Sequence, residues 1–501
     1  MNNNSKINLA LIVPSVVTHN LDPHTGIPFL PHMAGYLSAK ILDLGYNLNV
    51  IDCFGINSQL SRKYGDFLLT GIDEDEVIER IEPDIKLCFI YCKVIEDLYA
   101  VERLIEVIKR KKPNIKICLF ENIQTTNSFS LRKISDYLFS KGCDYIILGE
   151  PEHKIEIFLN FYNDSSKLKQ IPGIAYKIDK KIFINDNEAF NKNLDNIPFP
   201  AWHKFNMEGY WNAGYSHAPV KKNTKFLPII SSRGCPYRCK FCVSPTLNPT
   251  WRSRSAKNVV DEIEYLNKTL NVTDFHFSDL DPTVNEKRTI EISNEIINRK
   301  LKIQWKLSQG TKVETIKNLN TLDIMKKSGL SFFSFSPESG SIELMKKLNK
   351  PFDYNHGLKI AKYLNKLKIS TQACFIAGTP PEDKEDRVKS LDYMKKLAKA
   401  GVDEIAVFIY SPIPGSFFAD QIGGFKHYSE LSRSPKWRKD YREINIFRYK
   451  MYLTFFIYKL IFHPFKLFAN IMGILSKNFN TKMEMAIYKS IKLKKMSFFS
   501  K

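Results

Sequence analysis

Long apolar runs are missing from this 501-residue chain: none reaches the roughly 18 uninterrupted residues of a membrane-spanning helix. No segment repeats at a spacing of roughly 20–50 residues, which argues against a solenoid or propeller, and no tract is of low complexity. No Gly-x-Gly-x-x-Gly follows the first apolar run, so a dinucleotide pocket is not indicated. The opening MNNNSKINLALIVPS has one lysine and an apolar run too short for the core of a signal peptide. It reads as a buried strand of a cytoplasmic protein. Cysteine is sparse and odd in number, nine in all, so the thiols cannot all pair internally. In a reducing compartment, those that cluster point to metal binding or catalysis. Acid is also short: 53 Asp and Glu face 74 Lys and Arg, a net charge of +21.

What is present is ordinary globular material, 44% hydrophobic and 25% charged. It suffices for roughly two to four domains. In the N-terminal third, apolar runs at 7–13, 47–52, 85–91, 115–120 and 144–149 alternate with helical stretches at 30–45, 74–82, 95–112, 129–141 and 151–162. Strands that are apolar throughout are buried on both faces, as in a parallel sheet. The fold class is therefore α/β. Residues 1–162 form a doubly wound, Rossmann- or flavodoxin-like domain that takes its ligand beyond the carboxyl ends of the strands. Residues 163–228 read as a small hairpin and a Pro-, Asn- and aromatic-rich linker. Six further strand–helix pairs fill 229–425, enough for a partial (β/α) barrel with its functional residues at the strand ends.

Residues 426–501 form a basic helical tail. Its last part, 433–501, holds 16 Lys or Arg against 3 Asp or Glu, which is 13 of the 21 net charges. The rest of the chain is only mildly basic, so the charge gives little reason to expect a nucleic-acid partner. The segment 451–475 is apolar but interrupted by Lys459, His463, Pro464 and Lys466. It reads either as a peripheral membrane contact on the cytoplasmic face through 445–501, or as a helical cap packed on the barrel.

The most informative stretch is IISSRGCPYRCKFCVSP, 229–245, with Cys235, Cys239 and Cys242 just after the first barrel strand. Three thiolates on one short loop suit an iron–sulfur centre or zinc. A structural zinc site needs four ligands, and this loop has no fourth Cys or His. A [4Fe–4S] cluster held by three thiolates keeps one iron open to a substrate or cofactor.

On these residues the chain resembles the radical S-adenosylmethionine (SAM) superfamily, with Phe241 as the aromatic residue before the third cysteine. The resemblance implies that the open iron chelates SAM, which one-electron transfer then cleaves. WRSRSAKNVVDEIEYL, FHFSDLDPTVN, FFSFSPESGSIELMKKLNK and FIAGTPPEDKED extend the resemblance over roughly 5–425. They are similar to the branch with an N-terminal cobalamin-binding domain: anaerobic porphyrin-ring cyclases, hopanoid-modifying enzymes and cobalamin-dependent methyltransferases. By that resemblance Asp279 lies near the methionyl amino group, Ser336, Glu338 and Ser339 near the ribose and carboxylate, and Gly378 near the adenine. Leu280 interrupts what is usually a pair of acids, and Pro337 stands where glycine is common. Strand-end packing and helix capping, with Ser255, Ser339 and Asp383 as caps, is the plainer account of the same segments.

PFLPHMAGYLSAKILDLGYNLNVIDCFGIN, 28–57, and the turn GEPE, 149–152, resemble parts of the cobalamin-binding domain. His24, in Asp22-Pro-His24-Thr-Gly26, falls one residue short of the usual cobalt-ligating motif, so cobalamin is expected without a histidine ligand. Cys53, Cys88, Cys92, Cys118, Cys143 and Cys374 lie in or beside apolar strands and read as buried thiols. Cys374 has a second reading, as a hydrogen-atom donor facing the barrel. The implied activity is reductive cleavage of SAM at a [4Fe–4S] cluster, with cobalamin, to methylate or oxidatively rearrange a hydrophobic small molecule. The implied electron source is a reductant such as flavodoxin or ferredoxin. A radical SAM enzyme acting on nucleic acid is the alternative, and a non-catalytic corrinoid- or cluster-binding accessory protein is another; the intact cysteine triad argues against the latter.

Overall fold

The computed structural model describes residues 7–19, 22, 24–125, 128–186 and 190–499. Five parallel strands, Asn8–Val13, Leu48–Asp52, Ile85–Cys92, Lys116–Glu121 and Tyr145–Ile147, stand in the order 2-1-3-4-5. That is the flavodoxin-like arrangement, with its crevice where the chain reverses direction, between the first and third strands. Leu87 to Cys92 are buried on both faces of the third strand, as a central parallel strand requires. Cys53, Cys88, Cys92, Cys118 and Cys143 are buried, as expected.

The hairpin Ile174–Ile178 and Lys181–Ile184 is not a free-standing unit. It pairs antiparallel with Tyr145–Ile147 and extends the sheet to seven strands. Its turn residues Asp179 and Lys180 both have positive φ, the twist that tight hairpins need. A second, antiparallel sheet of Val16–His19, Phe67–Thr70 and Ser61–Tyr64 was not expected from the sequence pattern.

The barrel strands are Phe226–Ile229, Asp274–Phe277, Gln304–Thr311, Leu330–Glu338, Ser370–Ala377 and Glu404–Ile409. They pair in parallel and in chain order, and the barrel stays open. The first strand lies earlier than IISS, because Ser232–Arg233 turns away to pair with Arg252–Ser253. Ser255, Asn285, Asn318, Asp353 and Asp383 cap the helices that return over the outside, each accepting a main-chain N–H.

The tail is three helices: Tyr441–Phe462, Pro464–Ser476 and Lys482–Phe499. The first packs on the helix Lys384–Lys399 and the sixth barrel strand, burying Ile444, Met451 and Phe455. The last also lies against that strand. Among the described residues no helix is long and apolar enough to cross a membrane. The outer faces of the first two tail helices nevertheless expose Leu453, Leu460, Ile461, Phe465, Phe468 and Leu475.

Candidate functional site

The cysteine loop is held from the N-terminal domain. Gln124, beyond the fourth strand, donates to the Ser232 carbonyl at 2.7 Å and accepts from the Gly234 N–H at 3.3 Å. The GEPE turn supplies two buried carboxylates. Glu152 pairs with Arg233, and Glu150 pairs with Arg252 at 2.7 Å and with Arg233 at 3.5 Å. Gly234, at φ +79°, leads into Cys235, and a Cβ there would lie 2.1 Å from the Thr250 carbonyl oxygen. Only glycine fits.

Cys235, Cys239 and Cys242 all line a cavity of about 220 Å³ at the barrel mouth, together with Phe241. Burial pushes the Cys235 and Cys239 thiols up to about 12, and the positive charge of a metal would favour their thiolates. No three of the described His, Cys, Asp or Glu side chains converge tightly enough to hold a single metal ion.

The family-implied residues divide. Ser336 and Glu338 line the cavity. Glu338 holds a left-handed backbone conformation, φ +59°, and its carboxylate pairs with Lys350, whose Nζ also donates to the Ser336 carbonyl at 3.0 Å. Asp279 does not line the cavity. Fully buried beneath it, Asp279 accepts from the Ser231 N–H at 3.1 Å and from the Ser231 and Ser232 hydroxyls at 2.8 and 2.5 Å. It thereby fixes the start of the cysteine loop. Two residues on, Asp281 does face the cavity, and burial raises its carboxyl to about 6. It accepts from the Thr283 N–H at 3.2 Å and the Thr283 hydroxyl at 3.0 Å, and the Tyr237 hydroxyl lies beside it.

Ser339 bonds the Ser390 hydroxyl at 2.8 Å, away from the cavity, and Ser341 rather than Ser339 caps the next helix. Gly378, at φ +79°, lies against the tail: a Cβ would meet Ile444 at 2.5 Å, and Arg438 donates to its carbonyl at 2.9 Å. Cys374 faces the cavity, 3.5 Å from the Ser334 hydroxyl, with its thiol pushed up by burial. His24 lies elsewhere, in the wall of a second cavity.

Other wall residues were not anticipated. Ile95 and Glu96 arrive from beyond the third strand of the N-terminal sheet, beside its crevice, and Arg433 and Lys482 come from the tail. None sits in a recognisable motif. Each reaches the cavity through the packing of domains distant in sequence.

Residues 229–394 match the model of the Radical SAM superfamily. The chain is 26% identical over 427 residues to cytidylyl-2-hydroxyethylphosphonate methyltransferase of Streptomyces wedmorensis, spanning 76% of each chain. It is 28% identical over 406 residues to the anaerobic magnesium-protoporphyrin IX monomethyl ester cyclase of Rubrivivax gelatinosus, spanning 79% of this chain and 66% of that one. Its fold is similar to that of the radical SAM methyltransferase TsrM of Kitasatospora setae, solved with cobalamin and a [4Fe–4S] cluster. That match has a TM-score of 0.64 at 14% identity and covers 83% of this chain and 78% of TsrM. With its cysteine loop set at the mouth of a six-stranded open barrel, the chain carries a radical SAM domain over residues 229–394 and is similar to radical SAM methyltransferases and cyclases.

Proposed function

We propose that this enzyme cleaves SAM at a [4Fe–4S] cluster, works with cobalamin, and methylates or oxidatively rearranges a hydrophobic small molecule. The observation that carries the reading is the composition of one cavity. There the three cysteines, Asp281 and the Glu338–Lys350 pair meet Ile95 and Glu96 of the flavodoxin-like domain. Cys235, Cys239 and Cys242 would hold the cluster, which when bound supplies the low-potential electron that breaks a sulfonium bond. SAM carries an ammonium group, and the Asp281 carboxylate at the cavity wall is an acceptor for one. Lys350 offers a cation beside Glu338 for the carboxylate end. Cobalamin suits the crevice above the parallel strands, where Thr125, beyond the fourth strand, also has a buried hydroxyl without a partner. His24 lies in the wall of the second cavity and not of the first.

The test is anaerobic incubation of reconstituted protein with methyl-labelled SAM and a flavodoxin or ferredoxin reductant. The expected outcome is 5′-deoxyadenosine, abolished in Cys239→Ala. Label in the product assigns methyl transfer, and unlabelled product with 5′-deoxyadenosine assigns rearrangement. Formation of no 5′-deoxyadenosine would defeat the proposal.

The apolar outer face of the tail favours a peripheral membrane contact as a second feature. Phe465 is 87% exposed and Leu475 72%, and Lys450 and Lys477 flank this face. Phe465→Asp with Phe468→Asp should release the protein from phosphatidylglycerol vesicles in a sedimentation assay without changing SAM cleavage. Wild-type protein that ignores such vesicles would end this reading.

A further inference from the structure

The tail contributes more than an outer face. A second cavity, of about 390 Å³, lies between the sixth barrel strand, the segment around His24–Phe29 and the helices Tyr441–Phe462 and Lys482–Phe499. His217, Gln372, Phe408, Arg433 and Lys482 line both cavities, so the two adjoin. Most of the second wall is apolar, including Phe29, Phe408, Tyr452, Phe456, Met483 and Met485.

Set in that wall are two ammonium groups whose hydrogen bonds, among the described residues, are to main-chain carbonyls. Lys482, at the junction, donates to the Ser308 carbonyl at 2.7 Å, and Lys489, 3% exposed, donates to the Thr25 carbonyl. Neither makes an ion pair with a described carboxylate. The carboxylates that act on them are Glu404 for Lys482 and Asp22 for Lys489. Glu404 accepts from the Lys482 and Met483 N–H groups at 2.9 and 2.6 Å at the start of the last helix, and Asp22 accepts from the His24 N–H at 2.9 Å. Burial draws Lys489 down to about 7 and also lowers Lys482. Burial likewise keeps the cavity's two histidines, His24 and His217, below their ordinary value. Arg433, stacked 4.1 Å over the Phe408 ring, adds a third cation at the junction. A buried lysine with no carboxylate in ion-pair range is costly, and an apolar chamber with two such lysines on its wall fits an anion with an apolar body.

We propose that the second cavity is the substrate chamber, and that the substrate is an apolar molecule bearing a carboxylate or phosphate group bound by Lys489 and Lys482, its reacting end at the first cavity. The assignment of the reacting end rests on the first cavity being where SAM is cleaved. The anionic group serves for binding and orientation only.

Titration of the full-length protein with decanoate, decyl phosphate and decanol, each below its micelle concentration, tests the chamber without needing the cluster. Both anions should bind at least about tenfold more tightly than decanol, the scale of one charge-assisted contact. Lys489→Met and Lys482→Met should each remove most of that preference while leaving decanol binding within about twofold, and Lys489→Arg should restore it. Tighter binding of decyl phosphate than decanoate assigns a phosphate, and the reverse assigns a carboxylate. Equal affinity of the wild-type protein for decanoate and decanol overturns the proposal, and this comparison needs no variant to fold. If that happens while 5′-deoxyadenosine still forms from SAM, the enzyme reading stands and only the chamber falls. If the anion preference holds but no 5′-deoxyadenosine forms, the chamber stands and the enzyme reading falls.

Discussion

Single residues here divide into those that face the chemistry and those that hold the backbone for it. Gly234 is of the second kind. Gly234→Ala adds the cost of a left-handed backbone, about 1–2 kcal/mol, to a collision with the Thr250 carbonyl. The expected result is a protein that folds but takes up little cluster, read from visible absorbance after reconstitution. Asp52 gives a pH prediction. Its carboxyl is fully buried, accepts from the Gly55 N–H and the Tyr210 hydroxyl, and is raised to about 6 by burial. A carboxyl with a raised folded-state value favours the fold when protonated, so stability falls as pH climbs from about 4 to about 6. Asp52→Asn should flatten that fall by up to about 3 kcal/mol, checked by urea unfolding at pH 4.5 and 7. The cysteines were legible because cluster chemistry demands sulfur at close spacing on one loop. Asp281 was not, because the path of the chain after the second barrel strand decides which acid faces inward. The segment FHFSDLDPTVN contains both Asp279 and Asp281, and spacing alone does not choose between them.

At the scale of elements, the link between the GEPE turn and the cysteine loop is the clearest dependency. Arg233, Glu150 and Glu152 are almost wholly buried, so removing one partner strands a charge. Arg233→Met should destabilise the protein by roughly 3–5 kcal/mol, and the triple change with Glu150→Gln and Glu152→Gln should recover part of that loss in denaturant midpoint. Most strands and helices could be read from hydrophobic period, because a parallel sheet buried on both faces writes continuous apolar runs. The three-stranded antiparallel sheet could not: Ser61–Tyr64 and Phe67–Thr70 are four residues each, and the first is mostly half-buried. The Gly65-Asp66 turn between them was the one available signal. Sequence also gave no sign that the 174–184 hairpin would join the main sheet, since edge pairing depends on a neighbour remote in the chain.

For the whole molecule, the question left by the sequence was whether the basic tail stands apart from the catalytic body or belongs to it. Its inner faces belong to it. Tyr452 accepts from the Val407 N–H at 3.1 Å, and the last helix walls the second cavity. Deleting 441–501 should therefore expose the sixth barrel strand and both cavities, giving aggregation or loss of a cooperative thermal transition rather than a merely detached protein. Size-exclusion chromatography with a melting curve would check this. That deletion cannot serve to probe membranes, which is why changes confined to Phe465 and Phe468 are the cleaner instrument.

Lys482 sits where these scales meet: its main chain is capped by a barrel carboxylate and its side chain reaches the junction of the two cavities. The two halves of the reaction space thus come from separate stretches of polypeptide. The barrel supplies the cysteines, while the tail supplies much of the wall that would meet the molecule being altered. Descendants of such a chain can exchange the molecule they act upon by rewriting the last sixty or so residues, with the radical-generating machinery left untouched.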